Sequence, residues 1–212
     1  MVTVAISGPC SCLVACGSSD HAATCRHSQG VSTPQVSVRN SSEVHISDVS
    51  FVASGSKQTN ALTILEDTTN MTLSRSTIVN SSGITFGSSK ALSAGRIANI
   101  SIDRITFDGV TTAVHLAAHQ LQKFDSLRFS NIDGDARELI VNCTDVSHCT
   151  NFEFVNVALG HGVSVTCSKL HGIALDCVHG GVTALHECMA PFVRCACENR
   201  SLCLPLSSQP KH

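Results

Sequence analysis

The chain of 212 residues contains neither tryptophan nor tyrosine. The side chains that most often stack on a sugar ring while hydrogen-bonding through a polar edge are therefore missing, and a carbohydrate site would be poorly equipped. Charge is scarce as well. Only 14% of residues are charged and the formal net charge is -2, which argues against a nucleic-acid surface and against a strong electrostatic grip on an acidic polymer. No apolar run approaches the ~18 residues that a membrane span needs. Residues 1–16 have no basic leader region, and Gly8-Pro9 interrupts their apolar stretch, so a secretion signal is at best weak. Cysteine is absent from the 117 residues between Cys25 and Cys143.

What is present points outside the cell. The twelve cysteines fall in two groups, Cys10 to Cys25 and Cys143 to Cys203, a density that fits an oxidising compartment. Six Asn-x-Ser/Thr sequons, at Asn40, Asn70, Asn80, Asn99, Asn142 and Asn199, satisfy the N-glycosylation rule. A secreted glycoprotein is the expectation.

The fold is carried by a repeat. From about residue 36 to residue 165 one template recurs: apolar, any, apolar, two polar residues, apolar, any, apolar. It reads Val44-His-Ile46-Ser-Asp-Val49-Ser-Phe51, then Met71-Thr-Leu73 with Ile78, Ile100-Ser-Ile102-Asp-Arg-Ile105-Thr-Phe107, Leu127-Arg-Phe129, and Phe152-Glu-Phe154-Val-Asn-Val157-Ala-Leu159. Its starts fall 25 to 29 residues apart. A further alternating strand follows in each period, at Leu62 to Ile64, Ile84 to Phe86, Val114 to Leu116, Leu139 to Val141 and Val163 to Val165. Period-two alternation means half-buried strands, and a coil of this length cannot close a core alone. Stacked coils would place Val44, Met71, Ile100, Leu127 and Phe152 in one inward ladder. The predicted fold is all-β, a right-handed single-stranded parallel β-helix over residues 36–177, preceded by an unassigned segment 1–35 and followed by a Cys-rich tail 178–212. The competing β-sandwich needs tight hairpins. Asp108-Gly109 and Asp133-Gly134 are read instead as solenoid turns at one phase of the coil. Residues 1–35 offer no amphipathic capping helix, so the solenoid is expected to be open at its N-terminal end.

Residues 99–177 carry a resemblance. Asn99-Ile-Ser-Ile-Asp-Arg-Ile-Thr-Phe107, Leu127-Arg-Phe-Ser-Asn-Ile-Asp-Gly134, Cys143-Thr-Asp-Val-Ser-His-Cys149 running into Val157, and Cys167 to Cys177 with nine residues between resemble the C-terminal coils and closing segment of glycoside hydrolase family 28, especially the fungal exopolygalacturonases. The resemblance covers residues 36–177 loosely and about 80 residues well. It implies disulfides Cys143–Cys149 and Cys167–Cys177, pectin or an oligogalacturonide as partner, a monomer, and no cofactor. Its activity would be inverting hydrolysis of α-1,4-galacturonosyl bonds, which needs one carboxylic acid and a carboxylate that activates water. The family's Asn-Thr-Asp, Asp-Asp, Gly-His-Gly and Arg-Ile-Lys motifs are not in place here. In one register the Arg-Ile-Lys position is Thr85-Phe86-Gly87, the Asp-Asp position Thr33-Pro34, and the histidine falls near Asn60; in a register one coil earlier, Ser32-Thr33-Pro34, Thr59-Asn60, Ser82 and Val114-His115-Leu116 fill the four. Without acid, base and the Arg and Lys partners for a substrate carboxylate, the expectation is a catalytically silent protein.

Other residues compete for a catalytic reading. Glu66 and Asp67 form the only adjacent acidic pair and are read as a solvated turn. Asp133 and Asp135 have a usable separation and receive the same reading. These four are the acids to test if activity exists. Gly160-His161-Gly162 matches the family tripeptide in letters but follows the coil of Phe152, out of context. His115 and His119 are four apart, yet on a strand rather than a helix, so no metal site is expected. The thiols of Cys188, Cys195, Cys197 and Cys203 could form disulfides or bind zinc, and Cys10, Cys12, Cys16 and Cys25 remain equally open. A working glycosidase with relocated acids and a structural solenoid or gene fragment are the alternative functions.

Overall fold

The computed structural model describes residues 3–5, 36–53, 59–87, 95–117, 122–160, 162–168 and 174–180. They form a right-handed parallel β-helix whose coils stack into one continuous sheet with no α-helix among the described residues. The first coil runs through β2 (Val36–Arg39), β3 (Ser42–Ser47) and β4 (Ser50–Val52), the next through β5 (Asn60–Ile64) and β6 (Thr68–Val79). Then come β7 (Ser82–Phe86), β8 (Gly95–Ala117), β9 (Gln122–Asn142), β10 (Cys149–Leu159), β11 (Ser164–Ser168) and β12 (Ala174–Gly180).

The strand register accounts for the repeat. Val44 pairs with Met71, Met71 with Ile100, Ile100 with Leu127 and Leu127 with Phe152, so the inward ladder read from the sequence is the one in the structure. Each of its members is buried. The template itself splits into two faces. Ile46, Leu73, Ile102, Phe129 and Phe154 continue the first, while Phe51, Ile78 and Phe107 stack on the second. A third face holds Val36, Leu62, Ile84 and Val114 in register. Alternation is what permits this: on a strand every second side chain points inward, so one coil supplies a few apolar groups per face and stacking removes them from water. Phe86, Phe129 and Phe154 run through the core, with ring centroids 5.8 Å apart edge-on and 5.0 Å apart stacked.

The bends between faces need unusual backbone. Positive φ recurs at Glu43, Asn70, Asn99, Ser126 and Asn151, one rung apart before the first face, and at Asp48, Arg75, Arg104, Asn131 and Asn156 between the first and second faces. One left-handed residue turns a strand sharply without a loop, and asparagine tolerates that conformation better than most residues. The polar pair inside the repeat is therefore a corner.

Four expectations change. Val165 pairs with Leu139 and Cys167 with Val141, so the last strand of the third face lies two residues later than Val163 to Val165. A shift of two keeps the same side inward, which is why alternation alone could not fix it. The two Asp-Gly pairs do not share a phase either, since Gly134 pairs with Phe107 rather than Gly109. Gly134 has φ 113°, and a Cβ there would overlap the Phe107 carbonyl, so it marks a close approach of two backbones. At the N-terminal end β1 (Thr3–Ala5) pairs antiparallel with β2, which covers the first coil on its third face. The last strand runs to Gly180, beyond the expected boundary at residue 177.

Candidate functional site

Among the described residues the interior holds a gap of about 10 Å³ beside Phe107, Phe129 and Phe154, the size of a single water at most. Seven phenylalanines, Phe51, Phe86, Phe107, Phe124, Phe129, Phe152 and Phe154, are buried, and Phe192 lies outside the described residues. No phenylalanine ring of the described residues is exposed to serve as a sugar platform. The polar groups of the described surface are the candidates for a site.

The carboxylates read from the sequence separate. Glu66 is not in a solvated turn: its side chain is 8% exposed, it is ion-paired with Arg39, and its Oε2 has no partner among the described residues. Gly95 on the next rung leaves room for it, because a Cβ there would collide with the Glu66 side chain. Asp67 points the other way. It is exposed, with φ 57°, and accepts a hydrogen bond from the Arg96 amide at 3.3 Å. One acid inside the corner and its neighbour outside cannot act together on one bond. Asp133 and Asp135 are both exposed on β9, as a solvated reading requires.

Asp133 borders an open polar hollow of about 420 Å³ on the described surface. Arg104, Asn131 and Asn156 form one wall, from the left-handed corner between the first and second faces; Thr106, Asp133 and Ala158, in register on successive rungs, form the other. Ser50 and Thr77 extend that outer row. Asn156 Nδ2 donates to Asn131 Oδ1 at 2.9 Å, and Arg104 Nε donates to Asp103 Oδ2 at 2.8 Å. The hollow thus presents one guanidinium, one carboxylate, amides and a hydroxyl in fixed order along the helix axis. It can accept a polar, hydroxylated ligand with a negative group, and it holds no second acid for hydrolysis.

Acids missed by reading the sequence do structural work instead. Asp103 Oδ1 accepts from Ser130 Oγ and Asn131 Nδ2, both at 2.8 Å; Asp125 Oδ1 accepts from Thr150 Oγ1 at 2.8 Å and Asn151 Nδ2 at 2.9 Å, while its Oδ2 takes Arg96 at 2.8 Å. In both cases an Asp on one rung clamps the hydroxyl and the left-handed Asn of the next. Burial opposes ionisation of Asp103 and Asp125, but the hydrogen bonds outweigh it and hold both carboxyls below the ordinary range. Asp48, held by both Nε and Nη2 of Arg75, is lowered to about 2. The signal was present: an Asp followed 25 to 27 residues later by Ser/Thr-Asn.

The remaining candidates divide as follows. Cys143 and Cys149 form a disulfide with Cα atoms 6.2 Å apart, spanning a 3₁₀ turn capped by Asp145. Cys167 is also disulfide-bonded, and the side chain of Cys177 lies outside the described residues, as do His119, His161, Asn199 and the cysteines of the head and tail. His115 is half-buried. Among the described residues no group of three or more His, Cys, Asp or Glu could hold a metal, and no helix is long and apolar enough to cross a membrane. Asn40, Asn70, Asn80 and Asn99 are exposed with positive φ, and Asn142 is half-buried. No protein-family model, characterised protein or solved structure matches the chain.

Proposed function

We propose that this protein is a polygalacturonase-like solenoid that binds an acidic cell-wall polysaccharide without cleaving it. The observation that carries the reading is the hollow beside Arg104: a galacturonate unit offers a carboxylate for the guanidinium and hydroxyls that donate to Asp133 and pair with Thr106, Asn131 and Asn156. The rungs repeat along the axis at ~4.8 Å, so a linear polymer laid on the outer row meets equivalent groups again. Silence in catalysis follows from the scattered acids. Inversion needs two carboxyls ~6.5–9.5 Å apart, one of them protonated, flanking one bond. Glu66 is buried with Arg39, and Asp133 stands opposite a cation rather than an acid.

The test pairs retardation of the folded protein in gels containing polygalacturonate with reducing-sugar release from the same polymer. Retardation without sugar release is expected. Arg104→Gln should weaken binding about 2- to 5-fold, the scale of one exposed charge contact, whereas Asp133→Asn should leave it unchanged or strengthen it by removing a like charge. Absence of retardation, or equal behaviour of the two variants, would sink the proposed mode. Sugar release abolished in Glu66→Ala/Asp67→Ala or Asp133→Ala/Asp135→Ala would instead establish relocated acids.

A further inference from the structure

Two complete sequons stack rung on rung. Asn70-Met71-Thr72 lies directly on Asn99-Ile100-Ser101, with Met71 paired to Ile100 and Thr72 to Ser101. Both asparagines are exposed and left-handed, with φ 53° and 56°. Their side chains are joined, Asn99 Nδ2 donating to Asn70 Oδ1 at 3.0 Å. The bond has an orientation. Asn70 contributes its oxygen and keeps its amide nitrogen out of the contact, whereas Asn99 spends a nitrogen hydrogen in it. Asn156 and Asn131 make the same contact at 2.9 Å, yet neither begins a sequon. The stack is thus a structural unit of the corner, present with or without a modification signal.

We propose that Asn70 and Asn99 form a single glycan-acceptor position: in a chain passing through the secretory pathway, the folded protein carries an oligosaccharide on Asn70 and none on Asn99. In the transfer, Asn70 Nδ2 bonds to the anomeric carbon of a lipid-pyrophosphate-linked oligosaccharide. The bond from that carbon to phosphate breaks, the lipid pyrophosphate leaves, and the amide nitrogen loses one proton. The product keeps Asn70 Oδ1 free to accept from Asn99, so the corner closes unchanged. A glycan on Asn99 as well would put two bulky branched groups on adjacent rungs only ~4.8 Å apart and would crowd the nitrogen that makes the contact. Transfer precedes folding, so doubly modified chains can arise, but their rung cannot close and they are retained as unfolded material. The inference rests on the expectation of secretion and is independent of polysaccharide binding.

The experiment expresses the full chain behind an added secretion leader in a eukaryotic host. This separates the acceptor question from natural export and from pectin binding. Secreted protein is trimmed to one N-acetylglucosamine per site, weighed intact, and mapped by glycopeptide mass spectrometry. One sugar across the pair, on Asn70, is expected. Thr72→Ala removes that sequon while keeping the Asn70 side chain; with no glycan on Asn70 the pair can reverse, Asn70 Nδ2 donating to Asn99 Oδ1, and the sugar should then move to Asn99. Double occupancy in secreted wild-type protein, occupancy of neither site, or an Asn99 still bare in Thr72→Ala would each overturn the proposal. The wild-type readout stands even if the variant fails to fold.

Discussion

Removing the Asp125 carboxylate, in Asp125→Ala, should cost about 2.5–3 kcal/mol of folding stability, far more than an ordinary surface aspartate. The estimate is built from its three contacts. The bond from Thr150 Oγ1, with the carboxylate only 25% exposed, is charge-assisted and worth about 1.5 kcal/mol. The bond from exposed Asn151 adds about 0.5–1 kcal/mol, and the exposed Arg96 pair about 0.5 kcal/mol. Asn151 sits at φ 58°, so losing its clamp loosens a left-handed corner as well. Asp125→Asn keeps an oxygen for Thr150 and Asn151 and should lose about half as much. Urea unfolding followed by circular dichroism gives both values. The pH dependence has a definite sign. Because the folded carboxyl titrates below its unfolded value near ~3.9, its stabilisation is complete above about pH 4 and is lost as pH falls through the lower folded value. Asp125→Asn should flatten that acid limb. A loss below about 1 kcal/mol for Asp125→Ala, or one no larger than that of Arg96→Gln, would refute the clamp.

Gly134→Ala should fail to give soluble protein or lose more than about 3 kcal/mol, because its Cβ meets the Phe107 backbone and its φ is 113°; expression yield and thermal melting check this, with Gly162→Ala, which meets nothing within 4 Å, as the comparison. Phe129→Ala should cost about 3–5 kcal/mol in urea unfolding, since Phe129 contacts both Phe86 and Phe154 and no neighbour can fill the gap in a stacked core. Cys143→Ser with Cys149→Ser should lower stability by about 2 kcal/mol, the closure entropy of so short a loop, and dithiothreitol should have no further effect at that site.

How much of this could be read in the sequence depends on the interaction involved. The inward ladder from Val44 to Phe152 was legible because burial is periodic, and each rung repeats the same apolar alternation. The corners were visible only as "two polar residues". What distinguishes Asp48, Arg75, Arg104, Asn131 and Asn156 is a positive φ, and arginine gives no sign of that conformation. Glu66 reads as part of a solvated turn because Thr68, Thr69 and Asn70 follow it closely. Its burial depends on Arg39 from the preceding coil and on the missing side chain of Gly95 from the next. Both are contacts at a sequence separation of 27 to 29 residues, which local composition cannot report. The strand at Ser164–Ser168 slipped by two for a different reason: with a period of two, both registers bury valine.

Were the chain catalytically silent, as proposed above, the same geometry would supply the reason. A β-solenoid offers only a few regular spacings for outward groups: ~4.8 Å between rungs and about 6.6–6.8 Å between alternate residues of one strand. The second falls within the range an inverting pair needs. Asp133 and Asp135 are the only acids of the chain two residues apart. Between them Gly134 adopts φ 113°, so the strand is not regular at that point, and of the two only Asp133 faces the hollow. Asp48, Asp103, Asp125, Glu66 and Glu153 are each tied to an arginine, and three of those pairings, those of Asp48, Asp125 and Glu66, link one coil to the next across 27 to 29 residues, as does that of Glu153 across 25. Asp48, Asp103 and Asp125 are held ionised by their donors, which disfavours their delivering a proton. The five arginine-paired acids hold the solenoid together, and that use sets them apart from acid-base work.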